Sequence, residues 1–185
     1  MTSAVLNFDS AALLFIQENL RSDFLTPVMT FITRLGDAGF IWILLGIVLL
    51  FPPKTRRGGF DMIICLAAAF VLTDIVLKDL IGRIRPYEVI EGLKLLVAPE
   101  TSFSFPSGHT SASFACATAL TLSFGKKGAW SFVLAALIAL SRLYVGVHYP
   151  TDVLGGIVVG TLAAVGAYYL LKRFVKTDFV RKDSI

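Results

Sequence analysis

Long apolar runs alternate with short polar breaks along most of the chain. Val153 to Leu171 is 19 residues without a charge, enough to cross a hydrocarbon layer. Gly128 to Val147 is a second run, charged only at Arg142, and Ser107 to Phe124 is a third, polar at its start. Phe60 to Leu77 is a fourth, with Asp61 near one end and Asp74 near the other. Ala38 to Phe51 is a fifth, short at 14 residues and closed by Pro52 and Pro53. Phe24 to Leu35 is interrupted by Pro27 and Arg34; it reads either as a sixth, tilted span or as a re-entrant piece. Phe8 to Leu20 has the pattern of an amphipathic helix that lies on the interface instead of crossing it. The expected fold is all-α, a polytopic membrane bundle of about six transmembrane helices with an N-terminal interfacial helix. Residues 1–185 are expected to form a single membrane-embedded domain. The long polar interval, residues 82–105, is a connecting loop containing Pro86 and Pro99, with a short surface helix expected around Val89 to Val97.

Composition supports the membrane reading. The chain is 56% hydrophobic and 16% charged, more apolar surface than a soluble domain of this size could hide. Its net charge of +4 does not point to nucleic acid, because basic residues at the ends of membrane spans give the same number. Cys65 and Cys116 lie inside apolar runs and read as buried small hydrophobes, not as a disulfide or a zinc site. No basic segment precedes the first apolar stretch, so no cleavable signal peptide is expected.

Charge also orients the chain. One set of connections carries Lys54, Arg56, Arg57, Lys126, Lys127, Lys172, Arg173, Lys176, Arg181 and Lys182; the other carries Lys78, Arg83, Arg85, Lys94 and Arg142. The positive-inside rule places the first set in the cytoplasm. The second set then faces outward from an inner (cytoplasmic) membrane.

Chemistry concentrates on that outer side, in three blocks: Lys78-x6-Arg85-Pro86, Pro106-Ser107-Gly108-His109 and Ser141-Arg142-x5-His148-x3-Asp152. Both histidines of the chain fall within them. Lys78, Arg85 and Arg142 can neutralise a phosphate, the guanidinium forks binding two oxygens at once. Any one of these cations alone could be snorkelling to the interface. Ser107 and Gly108 precede an apolar helix, whose free N–H groups suit an oxyanion, although Ser107 could be an ordinary helix cap. Asp152, if it sits in a first helical turn after Pro150, can reach back to His148 and fix its tautomer. His148 can then act as nucleophile, and His109 as the acid that protonates the leaving oxygen and later activates water. One carboxylate among many cations is a poor cage for a hard divalent metal, so neither metal nor cofactor is expected. Asp74, four residues before Lys78, can pair with it. Gly156, Gly160 and Ala164 form a small-residue stripe for packing within the bundle or, alternatively, for a homodimer.

The three blocks, eleven fixed positions in order, resemble the signature of the type 2 phosphatidic acid phosphatase family, within a motif core of residues 78–152. The resemblance implies an all-helical membrane core and a metal-independent phosphatase. His109 would be its general acid, His148 its nucleophile and Asp152 the residue orienting His148. Lys78, Arg85, Ser107, Gly108 and Arg142 would hold the phosphate. The expected activity is hydrolysis of a lipid phosphate monoester or diphosphate through a phosphohistidine. Undecaprenyl diphosphate is the first substrate expected, with phosphatidylglycerol phosphate or phosphatidic acid next. A lipid phosphotransferase or a lipid A phosphatase is the alternative, and a membrane transporter a remote one. The expected partners are the bilayer and the lipid substrate, and no nucleic acid.

Overall fold

The computed structural model describes residues 3–174. Its helices are α1 (Ser3–Asn19), α2 (Leu25–Leu35), α3 (Phe40–Leu50), α4 (Pro53–Phe70), α5 (Lys78–Ile81), α6 (Pro86–Val89), α7 (Gly108–Phe124), α8 (Lys126–Ala129), α9 (Ser131–Tyr144) and α10 (Pro150–Phe174). A 3-10 turn, Asp37–Gly39, joins α2 to α3, and a π-helical stretch, Val71–Leu77, joins α4 to α5. No strand occurs among the described residues.

The helix boundaries follow from local chemistry. Pro53 opens α4 and Pro150 opens α10, where a missing N–H costs nothing. Pro27 does not break the Phe24–Leu35 run, because it falls in the first turn of α2. Gly82, at φ +61°, ends α5 with its N–H on the Lys78 carbonyl. The short helix in the 82–105 loop lies earlier than expected. Pro86 starts it at once, Ile90 is already extended, and no helix covers 90–97.

Among the described residues, two stretches are long and apolar enough to cross a bilayer, Pro53–Val89 and Pro150–Phe174. The pair α2 and α3, bent by 52° between them, reaches that standard jointly. Helices α7 and α9, at 17 and 14 residues, fall short of the roughly 20 that span hydrocarbon unaided, so the count of six is not established. Phe24, Phe31, Ile43, Val48, Val133, Leu154 and Leu162 are all exposed on the outside of the bundle. Such a surface suits lipid, and the chain is a membrane protein.

Helix α7 is the centre, packed by α4, α9 and α10. Its buried residues are small, from Thr110, Ser111 and Ser113 to Ala115, Ala117 and Ala119. Small residues let backbones approach closely. A Cβ on Gly160 would lie 2.2 Å from the Ser111 carbonyl oxygen, and one on Gly156 would lie 2.7 Å from that of Ser107. The small-residue stripe of α10 is therefore spent on α7, within the bundle. Cys65 and Cys116 are free and buried in the same core.

The two ends of the bundle differ. At one, Phe124 closes on Gly58 and the Tyr168 hydroxyl donates to the Leu122 carbonyl at 2.9 Å. That end gathers the beginnings of α4 and α8 and the end of α10, with Arg57, Lys126 and Lys172. Lys176, Arg181 and Lys182 lie outside the described residues. At the other end the Ser107 N–H donates to the Asp152 carbonyl at 3.1 Å, bringing together the first turns of α7 and α10.

Gly160→Ala forces α10 off α7. It is expected to lower the thermal unfolding midpoint in detergent by the equivalent of about 1–3 kcal/mol. Gly166→Ala, whose Cβ would meet nothing within 4 Å, should leave the midpoint unchanged or raise it.

Candidate active site

The end of the bundle opposite Lys126 and Lys172 is built from four short segments. Helix α9 carries Arg142 in its last turn, and Gly146, at φ +84°, then turns the chain. His148 sits in that turn, 1% exposed. Helix α10 follows with Asp152 in its first turn, fully buried. The Asp152 carboxylate accepts the Tyr149 N–H at 2.9 Å and the Ser104 hydroxyl at 2.5 Å, and stands 3.4 Å from His148 Nδ1. The expected reach of Asp152 back to His148 is thus present in the geometry.

Arg85, at the C-terminal side of the α5–α6 turn, points its guanidinium inward. It donates to the Ser102, Phe103 and Val147 carbonyls at 2.8, 3.2 and 3.0 Å and stands 3.4 Å from His148 Nε2. Arg142 donates to the Thr33 hydroxyl at 2.7 Å. Both guanidinium groups meet one carboxylate, that of Glu100 in the 82–105 loop. Arg85 is 2.6 Å from Glu100 Oε2, and Arg142 pairs with Oε1. Lys78 lies beside them, 2.6 Å from Asp74 and 3.2 Å from the Ser102 hydroxyl. The π-helical stretch before it carries Asp74 and also Thr73, whose hydroxyl is 2.7 Å from that of Ser111 on α7.

His109 lies in the first turn of α7, with Nε2 2.9 Å from Asp37 Oδ1. Gly36 makes room for it, since a Cβ there would be 2.7 Å from the imidazole. Ser107 makes no side-chain cap; its hydroxyl accepts that of Thr110 at 3.0 Å. Its N–H is not free for an anion, being committed to Asp152. Gly108 sits against Asp74, where a Cβ would be 2.8 Å from Oδ1.

Electrostatics follow from burial. Burial pushes His148 down to about 3 from its ordinary 6.5, against the opposing hydrogen bond to Asp152. For Glu100, burial acts to raise the carboxyl, but Arg142, then His148 and Arg85, outweigh it and hold it at about 2. At neutral pH the site therefore has a neutral imidazole beside a carboxylate clamped by two guanidinium groups.

A cavity of about 700 Å³ opens from this cluster. Lys78, Glu100, Ser102 and His109 line one part of it, and Ile43, Ile63, Leu66, Ala67 and Phe70 line the rest. Among the described residues, no three of His, Cys, Asp and Glu are grouped to hold a metal.

Residues 58–176 match the PAP2 superfamily, a stretch that includes all three blocks. The chain belongs to the PAP2 superfamily. It is 33% identical over 141 residues to an undecaprenyl-diphosphatase of Sulfolobus acidocaldarius, covering 74% of this chain and 66% of that protein. It is 36% identical over 170 residues to phosphatidylglycerophosphatase B of Bacillus subtilis, covering 84% of this chain and 77% of that protein. The crystal structure of a transmembrane PAP2-type phosphatidylglycerolphosphate phosphatase from Bacillus subtilis superposes with a TM-score of 0.76 at 31% identity, covering 95% of this chain and 90% of the other.

In this PAP2 chain the three blocks converge as expected. Lys78, Arg85, Arg142 and His148 share contacts with Ser102 or Glu100 or with each other, and Gly108 and His109 border the same cavity. Several participants carried no signal in the spacing. Glu100, Ser102 and Ser104 are ordinary loop residues in sequence and acquire their places only because the 82–105 loop folds back. Arg83 had counted as a loop charge, yet it lies 2.5 Å from Asp152 Oδ1. Asp9, an acidic residue within α1, lies 2.7 Å from Arg83. Two positions before Arg85 was the one available hint for Arg83.

The depressed His148 gives a signed pH effect. Below about pH 6.5 the unfolded chain takes up a proton that the folded chain refuses until about 3, so stability falls as the pH falls through that window. His148→Gln removes this term. Its unfolding midpoint in detergent should fall less than the parent's between about pH 7 and pH 5, above the range in which Glu100 titrates. Parallel curves for the two proteins would count against a neutral, buried His148.

Proposed function

We propose that this PAP2 protein hydrolyses the phosphate or diphosphate of a membrane lipid, with His148 as nucleophile and no metal or cofactor. The enzyme class, a phosphoric ester hydrolase, is that of the phosphatases it resembles at 31–36% identity. The observation that carries the reading is the junction of a buried cation cluster with an apolar-walled cavity. Lys78, Arg85 and Arg142 suit a phosphate head, and Ile43, Leu66 and Phe70 suit the first part of a hydrocarbon tail. One donor of the cluster, Arg142 Nε, is buried without an acceptor, which fits an anion larger than a carboxylate.

In this mechanism the phosphate displaces Glu100 and is held by Lys78, Arg85, Arg142, the Ser107 hydroxyl and the Gly108 N–H. His148 Nε2 attacks phosphorus while Asp152 holds Nδ1–H and stabilises the forming imidazolium. A P–N bond forms, the P–O bond to the leaving group breaks, and His109 protonates the departing oxygen. His109 then takes a proton from water, whose oxygen attacks phosphorus and releases His148 and inorganic phosphate. Asp37, hydrogen-bonded to His109, fixes the ring for both transfers.

Undecaprenyl diphosphate is the first substrate proposed, by analogy with the Sulfolobus relative, and phosphatidylglycerol phosphate the second, by analogy with the Bacillus one. We further propose that residues 1–185 act as one unit with six crossings, by α2, α3, α4, α7, α9 and α10, and with α1 at the interface. The basic end faces the cytoplasm, and the site faces outward from the inner membrane.

Phosphate release by purified protein from undecaprenyl diphosphate, phosphatidylglycerol phosphate, phosphatidic acid and lipid A tests the reading and ranks the substrates. His148→Ala and Asp152→Asn are each expected to lower kcat by about 10²–10⁴, while a chelator leaves the parent at full rate. Near-parental turnover by His148→Ala would overturn the mechanism. Appearance of the phosphate on an added acceptor lipid, in place of free phosphate, would make the protein a phosphotransferase.

A further inference from the structure

Helix α1 presents a polar and a buried apolar residue to the protein and its large apolar residues to the outside. Leu6, Phe8 and Phe15 are exposed, whereas Asp9 and Leu13 are buried. Asp9, Leu13 and Gln17 recur every four residues, which aligns them on one helix face, and Arg21 continues the series past the helix end. Leu13 packs with Leu93 and Tyr149. Gln17 binds the Gly92 carbonyl and the Lys94 N–H, and Arg21 binds the Tyr144 and Lys94 carbonyls. Three of these four residues thus pin the 82–105 loop and the end of α9. The fourth, Asp9, does something different.

Asp9 is fully buried and points at the back of the candidate active site. It accepts the Thr151 N–H at 3.1 Å, the Thr151 hydroxyl at 2.5 Å and Arg83 Nη2 at 2.7 Å. Arg83 uses its other terminal nitrogen, Nη1, to reach Asp152 Oδ1 at 2.5 Å, and its guanidinium lies 3.8 Å over the Tyr149 ring. The Arg83 carbonyl also accepts the Ser104 N–H, and the Ser104 hydroxyl binds the other Asp152 oxygen. Asp152 is consequently held more closely by Arg83 and Ser104 than by His148, 3.4 Å away.

We propose that Asp9 is a positioning residue: through Arg83 it sets the place and effective charge of Asp152 behind His148, making α1 a working part of the active site. This inference rests on the phosphatase reading above. Its physical basis is a charge count in a buried space. Two carboxylates and one guanidinium sum to one negative charge, which remains available to the imidazolium that forms during attack. Without the Asp9 charge, Arg83 is left one-to-one with Asp152. The pair becomes neutral, a buried guanidinium edge loses its charged acceptor, and Arg83 draws Asp152 further from His148. The lipid phosphate, on the opposite side of His148, is not touched.

The test is steady-state kinetics on the preferred lipid with Asp9→Asn, nearly isosteric, and Arg83→Lys, which keeps the charge and loses the planar two-nitrogen fork that spans the two carboxylates. Each should lower kcat by about tenfold or more, with KM and the Kd for inorganic phosphate within about twofold, as for loss of a supporting partner to a catalytic group. In the Asp152→Asn background, Asp9→Asn should cost little more, because the relay is already cut. Gln17→Ala, which loosens α1 at the loop, should lower the unfolding midpoint and leave kcat unchanged. Parental kcat in Asp9→Asn overturns the inference, as does an equal loss in the Asp152→Asn background or a loss carried by KM. If Asp9→Asn fails to fold, Arg83→Lys decides on the same criteria. A parent that releases no phosphate from any lipid overturns the phosphatase reading itself, whereas an active parent with an equally active Asp9→Asn overturns this inference alone.

Discussion

Two guanidinium groups buried side by side need an anion between them, and one end of this bundle is organised around that requirement. Arg85 and Arg142 are each about 1% exposed, in a membrane protein whose core is apolar. Uncompensated, such charges would cost several kcal/mol each. The anion in this structure is Glu100, delivered by a loop whose Ser102 and Phe103 also accept from Arg85 Nε and Nη2. The same demand makes the place receptive to any anion that can reach it with more oxygens than a carboxylate has, and the cavity toward Ile43 and Phe70 is the route by which a lipid-linked anion would arrive.

Precision at that end comes from packing far below it. Glycines on α10 and serines and alanines on α7 allow the two backbones to approach until a single Cβ at Gly160 would collide with Ser111. The close approach continues to the helix starts, where the Ser107 N–H meets the Asp152 carbonyl. The π-helical stretch after α4 brings Thr73 onto Ser111 and Asp74 onto Gly108, and so sets Lys78 at the edge of the cavity. Lys78, His109, Arg142 and Asp152 are thereby carried by helix ends, while Arg85, Glu100, Ser102 and Ser104 come from the 82–105 loop and His148 from the turn before α10.

The apolar runs made the helices legible in the sequence, because a membrane helix is a composition before it is a contact. Their ends were legible wherever Pro or Gly stood, as at Pro53, Gly82 and Pro150. The crossing number was not: α7 and α9 are short, and whether α2 and α3 are two spans or one bent one depends on their surroundings. The convergence of Lys78, Arg85, Arg142, His109 and His148 was legible because helices that alternate in direction bring alternate connections to one end of the bundle. Ser104, Glu100, Arg83 and Asp9 were not, since each acts through a contact between segments distant in sequence. Asp9 and Arg83 are 74 residues apart, and no periodicity encodes that pairing. The 89–97 helix failed for a local reason, the early start imposed by Pro86.

In the proposed mechanism His148, neutral, buried and backed by a carboxylate, is the residue whose ring nitrogen bonds to phosphorus. The most direct measurement is a rapid alkaline quench of the purified protein turning over a ³²P-labelled lipid phosphate, followed by mapping of the labelled peptide. Label on the peptide containing His148, chased by unlabelled substrate and absent from His148→Ala, is the predicted result. Turnover at the parental rate with no labelled peptide, or with label on His109 instead, would contradict it.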